Sequence, residues 1–69
     1  MPVNWDVIKG KWTQLKGSAR SQWGQLTDDE WDQIAGERER LLGKLQERYG
    51  WNRERAEQEA EDFFSRQTY

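Results

Sequence analysis

Between residues 5 and 26 the apolar side chains stand at Trp5, Ile8, Trp12, Leu15, Ala19 and Leu26, in steps of three and four with one step skipped at Gln22. Trp31, Ile34, Leu41, Leu45 and Tyr49 keep the same spacing, with Arg38 interrupting it. A third stripe runs through Ala56, Ala60, Phe63 and Phe64. Steps of three and four place these residues on one face of a helix, and alternation of period two, the mark of a half-buried strand, is absent. The pattern predicts an all-α fold with helices over about 5–23, 28–49 and 53–66.

Local chemistry marks the ends. Thr27 followed by Glu30 reads as a capping box, with Leu26 and Trp31 placed as its hydrophobic staple. Asp28, Asp29 and Glu30 sit in a first turn, where the helix dipole favours negative charge. Asn4 reads as the cap of the first helix, with Val3 and Ile8 as a second staple, and Asn52 as the cap of the last. Gly24 and Gly50 each follow an aromatic residue, where a left-handed residue closes a helix.

Shifted by 26 residues, the chain matches itself. Trp5, Asp6, Ile8 and Gly10 fall on Trp31, Asp32, Ile34 and Gly36; Leu15, Gly17, Trp23 and Gly24 fall on Leu41, Gly43, Tyr49 and Gly50. Residues 1–69 therefore read as one domain with an internal repeat of about 5–24 and 31–50. Two copies are too few for a solenoid, so two halves packed against each other are expected. A glycine inside a helix costs about 1 kcal/mol relative to alanine. Gly10 and Gly36 are expected to break their helices, the alternative being close approach of a second backbone or a ligand there, and Gly17 and Gly43 to admit close packing.

Composition narrows the chemistry. The chain has neither cysteine nor histidine, which removes the thiolate nucleophile, the commonest general base near neutral pH and the commonest metal ligand. Mean hydropathy is −1.28, yet there are five Trp among 69 residues. Disordered chains are poor in aromatics, so the mixture points to a small folded domain with a thin, ring-rich core. No stretch approaches the roughly 20 apolar residues of a membrane span. The start, MPVNWDVIKG, lacks the basic and apolar regions of a signal peptide. The expectation is a cytoplasmic protein with no membrane partner.

Three clusters invite a function. Asp28, Asp29, Glu30 and Asp32 suggest a hard-cation site, but their spacing matches no EF-hand loop and capping accounts for three of them. Lys9, Lys11, Lys16 and Arg20 lie among tryptophans, and residues 1–26 carry +3 against −5 for the rest. Cations beside aromatic rings suit single-stranded nucleic acid, although the rings follow core spacing. Residues 37–48 offer ion pairs three and four apart on a solvated face, among them Arg40, Lys44 and Glu47. The acidic residues of 54–62 read as a solubilising face. The glycines form no phosphate-cradling loop, and no Ser or Thr has an activating base nearby.

With those residues in view, the chain resembles the CsbD-like family of small bacterial general stress-response proteins. The resemblance runs through NWDVIKGKWTQLKG (4–17), QWGQLTDDEWDQIAG (22–36), LLGKLQERYG (41–50) and the A-E-Q-E-A stretch at 56–60. It implies an all-helical domain similar to the SAM-domain-like pairing of two helical hairpins, synthesis under stress and no known catalytic activity. Where relatives commonly read K-G-K-x-K-E, this chain has Lys16-Gly17-Ser18-Ala19-Arg20-Ser21; Gln25, Ala35 and Glu37 depart similarly, so its basic surface is thinner.

The combined expectation is a non-enzymatic stress-response protein, either a soluble protectant or a small interaction module, without a cofactor. Its partner is unassigned, with a protein client favoured over nucleic acid. The alternative is a nucleic-acid-binding domain using Lys9, Lys11, Lys16 and Arg20. The remaining marked residues are structural: Trp5, Ile8, Trp12, Leu15, Trp31, Ile34, Leu41 and Leu45 for the core, Thr27 and Glu30 for the cap, and Gly10, Gly24, Gly36 and Gly50 for breaks and ends.

Overall fold

Each helix starts where the sequence supplies an acceptor for its first amides. In the computed structural model, which describes residues 3–67, helix α1 spans Trp5–Gly10. Asn4 Oδ1 accepts there from the N–H groups of Asp6 and Val7, at 3.0 and 3.4 Å. Helix α2 spans Trp12–Gln22, α3 Asp28–Ile34, α4 Arg38–Tyr49 and α5 Arg53–Gln67. The capping box before α3 is complete: Thr27 Oγ1 accepts from the Glu30 N–H at 3.2 Å, and Glu30 Oε1 from the Thr27 N–H at 2.9 Å. Asn52 Oδ1 accepts from the Arg55 N–H at 2.8 Å and caps α5.

The expected all-α fold is present, and both expected breaks divide a helix. Helices α1–α2 and α3–α4 are two helix–break–helix units, with α5 packed against α4. The two joints differ. Between α1 and α2 the chain leaves the helix for one residue, Lys11 (φ −106, ψ 17). Its N–H donates to the carbonyls of Val7 and Ile8, and its own carbonyl accepts from Gln14 and Leu15. Gly10, expected to make this bend, keeps a negative φ and only precedes it. Between α3 and α4 two consecutive residues turn left-handed, Ala35 at φ 51 and Gly36 at φ 79.

Gly36 does more than bend. A Cβ added to it would lie 2.7 Å from the Lys9 Cα, so its bare backbone lies against the end of α1. Nothing comparable lies near Gly17 or Gly43, where an added Cβ meets no atom within 4 Å. The close packing expected at those two positions is absent, because both face solvent. The expected left-handed cap at Gly24 is also absent. The chain leaves α2 one residue earlier, at Trp23 (φ −125, ψ 75), whose N–H donates to the Ala19 carbonyl. That turn carries the Trp23 ring into the core. Gly50 adopts the expected left-handed cap at φ 72.

Large rings make the centre. Trp12, Trp23, Trp31, Phe63 and Phe64 are buried, together with Ile8, Leu15, Ile34, Leu41 and Leu45. Trp31 stacks on Trp23 at 6.2 Å between ring centroids, and the Trp12 indole N–H donates to the Trp31 carbonyl at 3.1 Å. Trp5 is half-buried, with its ring edge-on to Phe64. Leu42, outside the repeated stripe, is fully buried. Helix α4 packs on α3 and on α5, so one apolar stripe does not suffice for it.

These contacts set apart two glycines of the same backbone handedness. Gly36→Ala combines left-handed strain with overlap on Lys9 and is expected to destabilise the fold by about 2–5 kcal/mol. Gly50→Ala adds strain alone, about 1–2 kcal/mol. Urea unfolding followed by tryptophan fluorescence measures both, and equal losses would show that the Gly36–Lys9 contact carries no weight.

Candidate functional site

The basic stripe proposed from the sequence is assembled by α1 and α2, but as one side of an ionic seam. Lys9 Nζ lies 2.6 Å from Glu37 Oε1, Lys16 Nζ 2.7 Å from Asp32 Oδ1, and an Arg20 Nη 2.8 Å from Asp28 Oδ1. The cations ascend in sequence while the acids descend, as in an antiparallel seam between the two copies. Of the four candidate residues, only Lys11 has no ion pair among the described residues. Exposed pairs of this kind contribute about 0–1 kcal/mol each. Their larger consequence is electrical, because the +3 of the first copy is matched locally by acids of the second.

The same contacts dispose of the acidic cluster. Asp28 and Asp32 face cations of α2, while Glu30 turns inward toward α4. Glu30 is the only buried charged side chain among the described residues, at 6% exposure. The Arg48 guanidinium donates to both of its carboxylate oxygens, at 2.8–3.2 Å. Lys44 Nζ stands 3.5 Å away, and the Thr27 N–H completes the shell. Arg48 is the main cause, and the Thr27 amide the next, of a Glu30 carboxyl held down from the ordinary 4.5 to about 2; burial opposes them. Fork-shaped donation by arginine gives this pair a fixed geometry as well as charge compensation.

The charged face over residues 37–48 is also organised differently from the sequence expectation. The expected Arg40–Lys44–Glu47 ladder along one helix gives way to pairs between elements. Arg38 reaches Glu57 of α5, and Arg53 holds Glu39 at 2.6 Å. Arg40 donates to the Gln33 carbonyl at 2.9 Å. These pairs cross the loops of the bundle, whereas pairs along α4 would only stiffen one helix.

The remaining aromatic residues among those described, Tyr49 and Trp51, stand at the end of α4 and just after it. Tyr49 stacks on Trp51 at 4.6 Å, the Arg55 guanidinium lies 4.7 Å from the Trp51 ring centroid, and the Tyr49 hydroxyl accepts from the Gln25 N–H at 3.4 Å. Val7, at 38% exposure, is the one exposed large hydrophobic among the described residues. None of their helices is long and apolar enough to cross a membrane. Glu54, Glu59, Glu61 and Asp62 of α5 form no ion pair with another described residue.

Sequence reasoning placed Glu30 in the cap and missed its burial. The available signal was Arg48 and Lys44, four residues apart on one face of the next helix, opposite an acid already fixed at a helix start. The carboxyl titrates lower in the folded chain than in the unfolded one, so folding gains from it fully above about pH 4.5 and loses that gain as pH falls toward 2. Glu37 and Glu39, also held low by Lys9 and Arg53, act with the same sign. Glu30→Gln is expected to lower the urea midpoint at pH 7 and to flatten its fall between pH 5 and 2. An unchanged acid profile in the variant would show that other carboxylates govern it.

Comparison with known proteins places the sequence in a family. The CsbD-like family model matches residues 6–58. The chain is 59% identical over 64 residues to the UPF0337 protein PA4738 of Pseudomonas aeruginosa, covering 93% of this chain and 98% of that one. It is 57% identical over 61 residues to the UPF0337 protein XAC4007 of Xanthomonas axonopodis pv. citri, covering 88% of each. With the UPF0337 protein YjbJ of Escherichia coli it shares 46% over 67 residues, 97% of each chain. The resemblance carried by the repeated Trp-Asp-x-Ile-x-Gly unit is thereby established, and the chain belongs to the CsbD-like family of small stress-response proteins.

Proposed function

We propose that this chain acts without catalysis, as a soluble protectant that keeps other macromolecules apart and hydrated when water becomes scarce. The observation that carries this reading is the surface: Val7 is its one exposed large hydrophobic among the described residues, and 35% of the chain is charged. A protein that presents so little apolar area has little drive toward fixed association. It remains dispersed at high concentration, with a net charge of −2 and both signs interleaved.

The ionic seam bears on the alternative of nucleic-acid binding. Binding a polyanion through Lys9, Lys16 and Arg20 requires them to leave Glu37, Asp32 and Asp28, or to bring those acids toward the phosphates. Release of counterions by neutralised phosphates drives such binding, and cations already paired contribute less to it. The half-buried Trp51 is likewise engaged by Tyr49 and Arg55.

The test dries and rehydrates a labile enzyme with an equal mass of this protein, of lysozyme as an inert control, or of nothing. Greater recovery of activity than with lysozyme is expected, and recovery no better than that control overturns the reading. In parallel, titration with short single-stranded DNA and RNA at low salt should leave tryptophan fluorescence unchanged. A saturable change that falls with added salt would instead favour the nucleic-acid function.

A further inference from the structure

A folded protein uses glycine where φ is positive, where another backbone comes close, or where the chain turns. Gly36 and Gly50 satisfy the first condition, and Gly36 also the second. Gly17 and Gly43 satisfy none. They lie inside α2 and α4, neither has a positive φ, both are exposed, and a Cβ on either would meet no atom within 4 Å. Alanine fits both places and is the better helix former.

The chain does use alanine in its helices: Ala19, Ala56 and Ala60 are all buried, at 0% exposure. At the two open positions in the middle of a helix it carries glycine instead, once in each copy of the repeat, whereas the equally open Gly10 ends α1 beside the bend. A second feature acts in the same direction. The indole N–H groups of Trp5 and Trp31 are enclosed without a hydrogen-bond partner among the described residues, and an enclosed donor left unpaired weakens the folded state.

We propose that Gly17 and Gly43 are a destabilising device, which holds the bundle near its unfolding threshold so that it opens under stress and exposes its tryptophan cluster to partly unfolded proteins. This rests on the protective reading and names its acting form: the folded chain stays dispersed, and the opened chain is the one that meets clients. The folded surface offers such clients almost no apolar contact, whereas Trp12, Trp23, Trp31, Phe63 and Phe64 lie together just inside it. Opening converts the least adhesive state of the chain into the most adhesive. Folding returns the rings to the core when conditions recover.

The device is tested in the full chain with Gly17→Ala, Gly43→Ala and the double variant, and with Ser18→Gly, an exposed position in α2, as the opposite change. Urea unfolding should show the folding equilibrium constant rising about fivefold for each alanine and roughly 25-fold for the pair. Exchange of the most protected core amides should slow by the same factors, and Ser18→Gly should move both readings the other way. In the drying assay the double variant should protect less than the natural chain. A folding constant unchanged or lowered by the alanines overturns the device. A stabilised double variant that protects equally well overturns its use in protection. Should the natural chain fail to protect, the protective reading and the client role fall together, while the folding constants still decide whether the glycines poise the fold.

Discussion

Trp31 is the residue on which both halves of the molecule close. It belongs to the second copy of the repeat, it is fully buried, its carbonyl takes the indole proton of Trp12 from the first copy, and its ring lies on Trp23. A chain with 33% hydrophobic residues has little apolar area to bury, and small domains leave much of their surface exposed in any case. Concentrating the apolar area in a few large rings is how this sequence obtains a core at all. The polar outer faces follow from that economy.

The two helix–break–helix units share a sequence pattern, and the differences between them fix how they fit. At the start of the first copy Asn4 caps α1; the residue aligned with it in the second copy is Glu30, which lies inside α3, closes the capping box onto the Thr27 N–H and also reaches inward to Arg48. At the joints, Gly10 is followed by a one-residue bend, whereas Gly36 turns left-handed and receives the backbone of Lys9. Two identical units would present identical surfaces to each other. Here one unit supplies cations and the Lys9 backbone, and the other supplies acids and the bare Gly36 that lies against it.

What was legible in the sequence was local. Periodicity, the Thr27–Glu30 box and the Asn4 and Asn52 caps are decided by neighbours within a few residues and stand in the structure as read; both joints are present too, but the first bends at Lys11 and not at Gly10. The failures were tertiary. Leu42 is buried because α4 serves two neighbours, which its own stripe does not record. Glu30 looks like an ordinary cap until Arg48 arrives from the next helix. Gly24 resembles Gly50 in sequence, but the Trp23 ring had to enter the core, and the backbone left the helix one residue early to bring it there. The basic stripe was visible as residues, while its neutralisation depended on the antiparallel order of two helices.

That neutralisation and the open glycines have a common physical sense. Ion pairs at an exposed seam add little stability, and glycines at free helical positions remove some; neither is what a chain selected only for rigidity would carry. Both leave the tryptophan cluster as the main force holding the fold, and hydrophobic burial depends on the surrounding water more than a rigid scaffold would. A bundle held mainly by that force, with a polar exterior, is coupled to the state of its solvent. Seen this way, the repeated Trp-Asp-x-Ile-x-Gly unit is a folding element in the plain sense, with Trp and Ile forming the core and Asp the rim. The glycine that ends it serves the fold only in the second copy, where Lys9 needs the room.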